Sequence, residues 1–114
     1  MLINIFLEKL STTPESVEFS DTMATIEANY HFSETEFSNG LQKNEAGQNS
    51  GSCKIFSFAL LQKLTEQQTL ACFGIYYRDD VLKNPENDDH QNIRQFIVNG
   101  WSGVTFSGQA LTAQ

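Results

Sequence analysis

Apolar residues along this chain fall mostly at helical spacing, and the breaks in that spacing divide it into elements. Leu2, Ile3, Phe6, Leu7 and Leu10 lie three and four apart, which predicts an amphipathic helix over 2–10. "TPES" at 13–16 then puts Pro14 at a first helical position behind a Thr cap. Val17 and Phe19 alternate with polar neighbours, so a short strand is possible there. Ser20 or Asp21 caps a second helix that carries Met23, Ile26 and Tyr30 on one stripe. Phe32 and Phe37 anchor the loop after it, and "NG" at 39–40 is a turn.

The stretch 38–52, "SNGLQKNEAGQNSGS", has no apolar period and reads as a long loop. A loop of that length is uncommon in a small domain and is usually functional or mobile. "CKIFSFALLQKL" follows, apolar on nearly every side, as a central buried helix would be. "TEQQ" is a capping box, with Thr65 as cap and Gln68 reaching back. The next helix carries Leu70, Phe73, Tyr77 and Val81 and stops near Asn84-Pro85. Asp88 or Asp89 opens a last helix whose core face is Ile93, Phe96 and Ile97, closed by Asn99-Gly100. Val104–Phe106 is a possible strand that could pair with Val17–Phe19, and the tail "QALTAQ" is expected to fray or dock weakly. The expected fold is one domain over 1–114, mainly α with α+β at the margin. It has about five helices around a central buried one, with at most a short two-stranded ribbon.

Composition narrows the function classes. Hydrophobic content of 39% with nine Phe residues supports a single core. The net charge of −7 is uneven: residues 1–42 hold one base against seven acids. Such a surface repels phosphate backbones, so nucleic acid is not an expected partner. The acidic third reads as a solvated face or a docking face for a basic partner. Cys53 and Cys72 lie in apolar helical patterns and make no disulfide framework, which fits a reducing cytoplasm. "MLINIFLEKL" lacks a basic n-region and a cleavage site, and no stretch approaches the roughly 18 apolar residues of a membrane span. No metal or cofactor motif is present, so neither is expected.

Two candidate sites remain. If Ser50 or Ser52 caps the helix after the long loop, Cys53 lies in its first turn. There the helix dipole and the neighbouring Lys54 would favour a thiolate. "GSC" before an apolar run is similar to the papain-like opening, but Lys54 stands where that signature carries an aromatic. His90 is the base available to such a nucleophile, and Gln48 or Asn49 an oxyanion donor. The other reading takes "GQNSGS" as a nest at a helix N-terminus, able with Lys54 to hold a phosphate or carboxylate. His90 and Arg94, at i and i+4, would meet Asn44, Glu45 and Gln48 if the loop folds over them. Arg78 sits beside Asp79 and Asp80 and Arg94 beside Asp88 and Asp89, and cross-pairing between the two helices is expected. An exposed cluster of Tyr76, Tyr77 and Trp101 would mark a partner site.

"NEAGQNSGSCKIFSFALL", "FGIYYRDDVLKNPENDDHQNIRQFIVNGW", "GVTFSGQAL" and the earlier "TPESVEFSDTMATIEANYHF" together carry a resemblance over nearly the whole chain. The chain resembles the HopJ type III effector family. That resemblance implies an effector-like protein and supplies neither a mechanism nor functional residues. An injected effector often opens with a Ser-rich disordered segment, whereas this chain opens with an amphipathic helix, so cytoplasmic residence is the expectation. The preferred reading is a small binding or regulatory module for a protein or small anion. Its surface would be Asn44, Glu45, Gln48, Asn49, Ser52, Lys54, Arg94 and Trp101. The alternative is a cysteine-nucleophile hydrolase or transferase using Cys53 and His90.

Overall fold

The computed structural model describes residues 2–114. It is mainly helical, with five short strands threaded between the helices. Helix α1 spans Ile3–Thr12 and buries Phe6 and Leu10, one turn apart on the expected face. Pro14–Ser16 form a 3₁₀ turn, with Pro14 at its start. Helix α2, Phe19–Asn29, starts earlier than expected because Asp21 reaches back to accept the Glu18 N–H at 3.1 Å. That bond makes Glu18 the cap and draws Phe19 into the helix, so the expected strand at Val17–Phe19 does not form.

The strands make two sheets. β1, Tyr30–Phe32, pairs antiparallel with β5, Leu111–Ala113. β2, Phe37–Asn39, lies between β3, Gln42–Asn44, and β4, Val104–Phe106. The two-stranded ribbon expected of the sequence therefore becomes two separate sheets, and the partner of Val104–Phe106 is Phe37–Asn39. The long loop expected over 38–52 is in part this β2–β3 hairpin, turning at Gly40 with φ +59°. The tail does not fray. Leu111 opposes Phe32, and the Gln114 side chain donates to the carbonyls of Glu27 and Tyr30, both at 3.1 Å.

Helix α3, Ser50–Gln62, buries Cys53 and every residue from Ile55 to Ala59. Its burial then stops: Leu60 and Leu61 are about half exposed, so the helix is not covered all round. Phe56 is the hub of the core. Its ring lies 5.0 Å from Phe96, 5.6 Å from Phe73, 6.0 Å from Phe37 and 6.2 Å from Trp101. Tilted and edge-on pairs like these add to the burial of large apolar area.

The Thr65–Gln68 capping box forms as expected and opens α4, Glu66–Ala71. The single helix expected from Leu70 to Val81 breaks at Gly74, φ +62°, where a Cβ would meet the Phe19 backbone nitrogen at 2.7 Å. Only glycine allows α2 and this bend to approach so closely. Beyond it Tyr76–Val81 form a π-helical segment. Helix α5 spans Gln91–Asn99 and starts at His90, two residues or fewer past the aspartates expected to open it. Ile93 and Phe96 are buried, but Ile97 is half exposed and Asn92 takes its place on the core face.

Candidate functional site

Two helices begin at one concavity. The residues before α3 and α5, Asn49 and His90, both adopt left-handed backbone angles, φ 50° and 53°. No side chain caps either helix, so neither Ser50 nor Ser52 plays the expected part. The first backbone acceptors are the helices' own: Cys53 N–H reaches Asn49 O, and Ile93 and Arg94 N–H reach His90 O. The N–H groups ahead of these are the orphan donors of a helix start. Between the two ends lies a cleft of about 370 Å³, lined by Asn49, Gly51 and Ser52 from one helix and His90, Gln91 and Asn92 from the other. Phe19, Phe73 and Tyr76 add aromatic walls.

Side-chain amides, those of Asn39, Asn44 and Asn92 buried, hold the two ends in register. Asn49 Nδ2 donates to Asn44 Oδ1 at 2.7 Å, and Asn92 Nδ2 donates to the same oxygen at 2.9 Å. Asn39 Nδ2 donates to the Asn92 carbonyl at 2.7 Å. The β2–β3 hairpin thus ties the start of α3 to the start of α5. His90 is held by its ring, which lies 5.3 Å from that of Tyr76, with Nε2 3.1 Å from Asp80 Oδ2.

The other predicted site residues are scattered. Glu45 and Gln48 close a turn on each other, through Gln48 N–H to Glu45 O and Glu45 N–H to Gln48 Oε1. Lys54 points elsewhere, 3.5 Å from Glu27 and over the Phe32 ring, so it does not serve the nest. Arg94 is spent on Asp89 at 2.7 Å, which Arg94 holds below its ordinary carboxyl range. Trp101 packs on Phe96 and Phe56, and its Nε1 donates to Leu64 O, away from the cleft. The expected cross-pairing between the two helices does not form: Arg94 keeps to Asp89 on its own side, and Arg78 has no ion pair among the described residues. It donates to the carbonyls of Pro14 and Val17.

Cys53 and His90 are not brought together at the cleft. His90 lines it and Cys53 does not. The Cys53 side chain is buried, its Sγ 3.6 Å from Thr35 O. Burial pushes this thiol up, outweighing the Thr35 carbonyl, Ser57 and Lys54, so the helix start does not produce the expected thiolate.

A family model described as HopJ type III effector protein matches residues 3–111. The chain belongs to the HopJ type III effector family. It is similar over its whole length to a solved structure, the crystal structure of VPA0580, a protein of unknown function. The two are 54% identical with a TM-score of 0.99, and the match covers 95% of that chain. No curated protein matches. Family membership therefore supplies a fold and a name, and the chemistry has to come from the cleft.

Several of the cleft's residues in this HopJ chain are not marked as site residues by the sequence: Phe19, Gln42, Phe73 and Asn92, with Asn39 behind them. One signal was available. Asn92 is four residues before Phe96, so a helical Asn92 faces the core and needs amide partners there.

Proposed function

We propose that the protein is a small binding module whose cleft holds a small anionic ligand at the joint N-termini of α3 and α5. One observation carries the reading: two helices open on uncapped left-handed residues and face one concavity. Orphan N–H donors and the positive ends of two helix dipoles favour negative charge at such a place. His90 adds a ring nitrogen, and the Tyr76 and Phe19 rings give an apolar side to the bound group. Both cysteines are free, which supports work in a reducing compartment such as the cytoplasm.

The test is a titration of the ¹⁵N-labelled protein with inorganic phosphate and with acetate. Saturable shifts are expected at the amides of Gly51, Ser52, Gln91 and Asn92. His90→Ala should weaken the binding several-fold, as expected for loss of one hydrogen-bonding partner. No saturable shift at these amides with either probe would sink the reading.

A further inference from the structure

The π-helical segment stands between two clefts of different chemistry. Tyr76 lines the first. Tyr77 and Arg78 line a second, a groove of about 320 Å³ whose walls include Leu10, Pro14 and Ala71. Arg78 is the unexpected residue here. Asp79 pairs with Lys83 at 3.2 Å and Asp80 with His90 at 3.1 Å, so both neighbouring carboxylates turn away from it. Its guanidinium instead donates to Pro14 O at 3.3 Å and Val17 O at 2.8 Å. Among the described residues Arg78 has no ion-pair partner.

A half-buried guanidinium with no counter-ion is unusual, because a charge removed from water is normally paired. The fork also carries more donors than those bonds use. We propose that this groove binds a small apolar carboxylate, its chain along Leu10, Pro14, Ala71 and Tyr77 and its head on Arg78. Charge complementarity selects the head group, since carboxylate matches the guanidinium fork in shape as well as sign. Glu15 also lines the groove and is exposed, so it opposes the bound anion from the rim. One carboxylate therefore fits better than a dicarboxylate. The proposal does not depend on the first cleft.

The full chain, ¹⁵N-labelled, would be titrated with octanoate and with its uncharged analogue octanamide. Saturable shifts at Ala71, Tyr77 and Arg78 are expected, with octanamide bound about tenfold more weakly for want of a charge-assisted bond. Arg78→Gln should abolish the preference for octanoate. That change also removes the bonds to Pro14 and Val17 and can cost the fold, so Glu15→Gln provides an independent arm. It should tighten octanoate by about two- to fivefold and leave octanamide unchanged, in line with an exposed charge pair. Equal binding of the two probes, or no effect of Glu15→Gln, would overturn the proposal. So would binding of a peptide ending in a C-terminal leucine where octanoate fails, because the groove would then recognise a chain end.

Discussion

The side-chain amides of Asn44 and Asn92 bond each other in both directions, Asn44 Nδ2 to Asn92 Oδ1 at 3.1 Å and Asn92 Nδ2 to Asn44 Oδ1 at 2.9 Å. Both residues are buried, one on the hairpin and one in the first turn of α5. Replacing Asn92 by Ala removes both of these bonds and the weaker one from Asn39 Nδ2 to Asn92 Oδ1 at 3.2 Å, and leaves Asn44 Nδ2 only its longer bonds to Phe37 O and Gln42 O, at 3.3 and 3.4 Å. Asn92→Ala should therefore cost about 1–3 kcal/mol, read from the urea midpoint. In a double-mutant cycle with Asn44→Ala the two losses should fall short of additive by at least about 0.5 kcal/mol. Strict additivity would mean the amides act separately and do not link the hairpin to α5.

The same geometry bears on Cys53. Its thiol is buried and its pKa raised, and Cys72 is more deeply buried, pushed up to about 12. Both follow from apolar burial of a group that would have to ionise. Neither cysteine should react with iodoacetamide in the native protein near pH 8, and both should react in urea. Peptide mapping by mass spectrometry checks this. Rapid native labelling confined to Cys53 would revive a nucleophilic role for it.

The C-terminal strand gives a third prediction. Leu111 is 1% exposed and pairs through β5 with β1. Leu111→Ala should cost about 2–5 kcal/mol, the range for truncating a buried leucine. An effect near zero would show that the tail frays after all.

Leu111 also marks where sequence reasoning stopped. Local signals were readable: the Phe6 and Leu10 face of α1, the Thr65–Gln68 box, and the run of burial from Ile55 to Ala59 all follow from spacing within a turn or two. Pairing of Tyr30 with Ala113 or of Phe37 with Phe106 leaves no such local trace, because strands of three residues are too short to show a period. The stripe Leu70, Phe73, Tyr77, Val81 looked like one helix because a bend at Gly74 followed by a π-helical segment keeps similar residues inward. In the cleft, His90, Asn49 and Ser52 were found by their types. Lys54 and Arg94 were misplaced because the sequence does not say which way a side chain leaves its helix.

Backbone strain offers a fourth test, independent of any ligand. Lys63 ends α3 with φ 55°, and the Leu64 N–H closes back onto Ala59 O at 2.9 Å. That is the Schellman arrangement, whose left-handed position favours glycine. Lys63→Gly should stabilise the protein by about 1 kcal/mol, the usual cost of a side chain in that conformation. Calorimetry should then show a melting temperature higher by roughly 4 °C, given the size of the domain. A lower melting temperature would mean that the lysine side chain contributes more than its backbone costs.

Acid stability turns on Asp21. Burial pushes its carboxyl up, but the Glu18 N–H and Lys9, the latter 3.0 Å away, together hold it below the ordinary value of 3.8. A carboxyl with a lower pKa folded than unfolded favours the fold when ionised. Its contribution is fully present above the unfolded value and is lost as the pH falls through the folded one. Asp89, held down by Arg94, has the same sign. The urea midpoint should therefore fall from about pH 5 downward. Asp21→Asn keeps the size of the side chain but removes the charge that Glu18 N–H and Lys9 stabilise. It should cost about 1 kcal/mol near neutral pH, as loss of a capping interaction does. The variant should also lose less stability on acidification than the parent, and an unchanged acid slope would exclude Asp21 as its source.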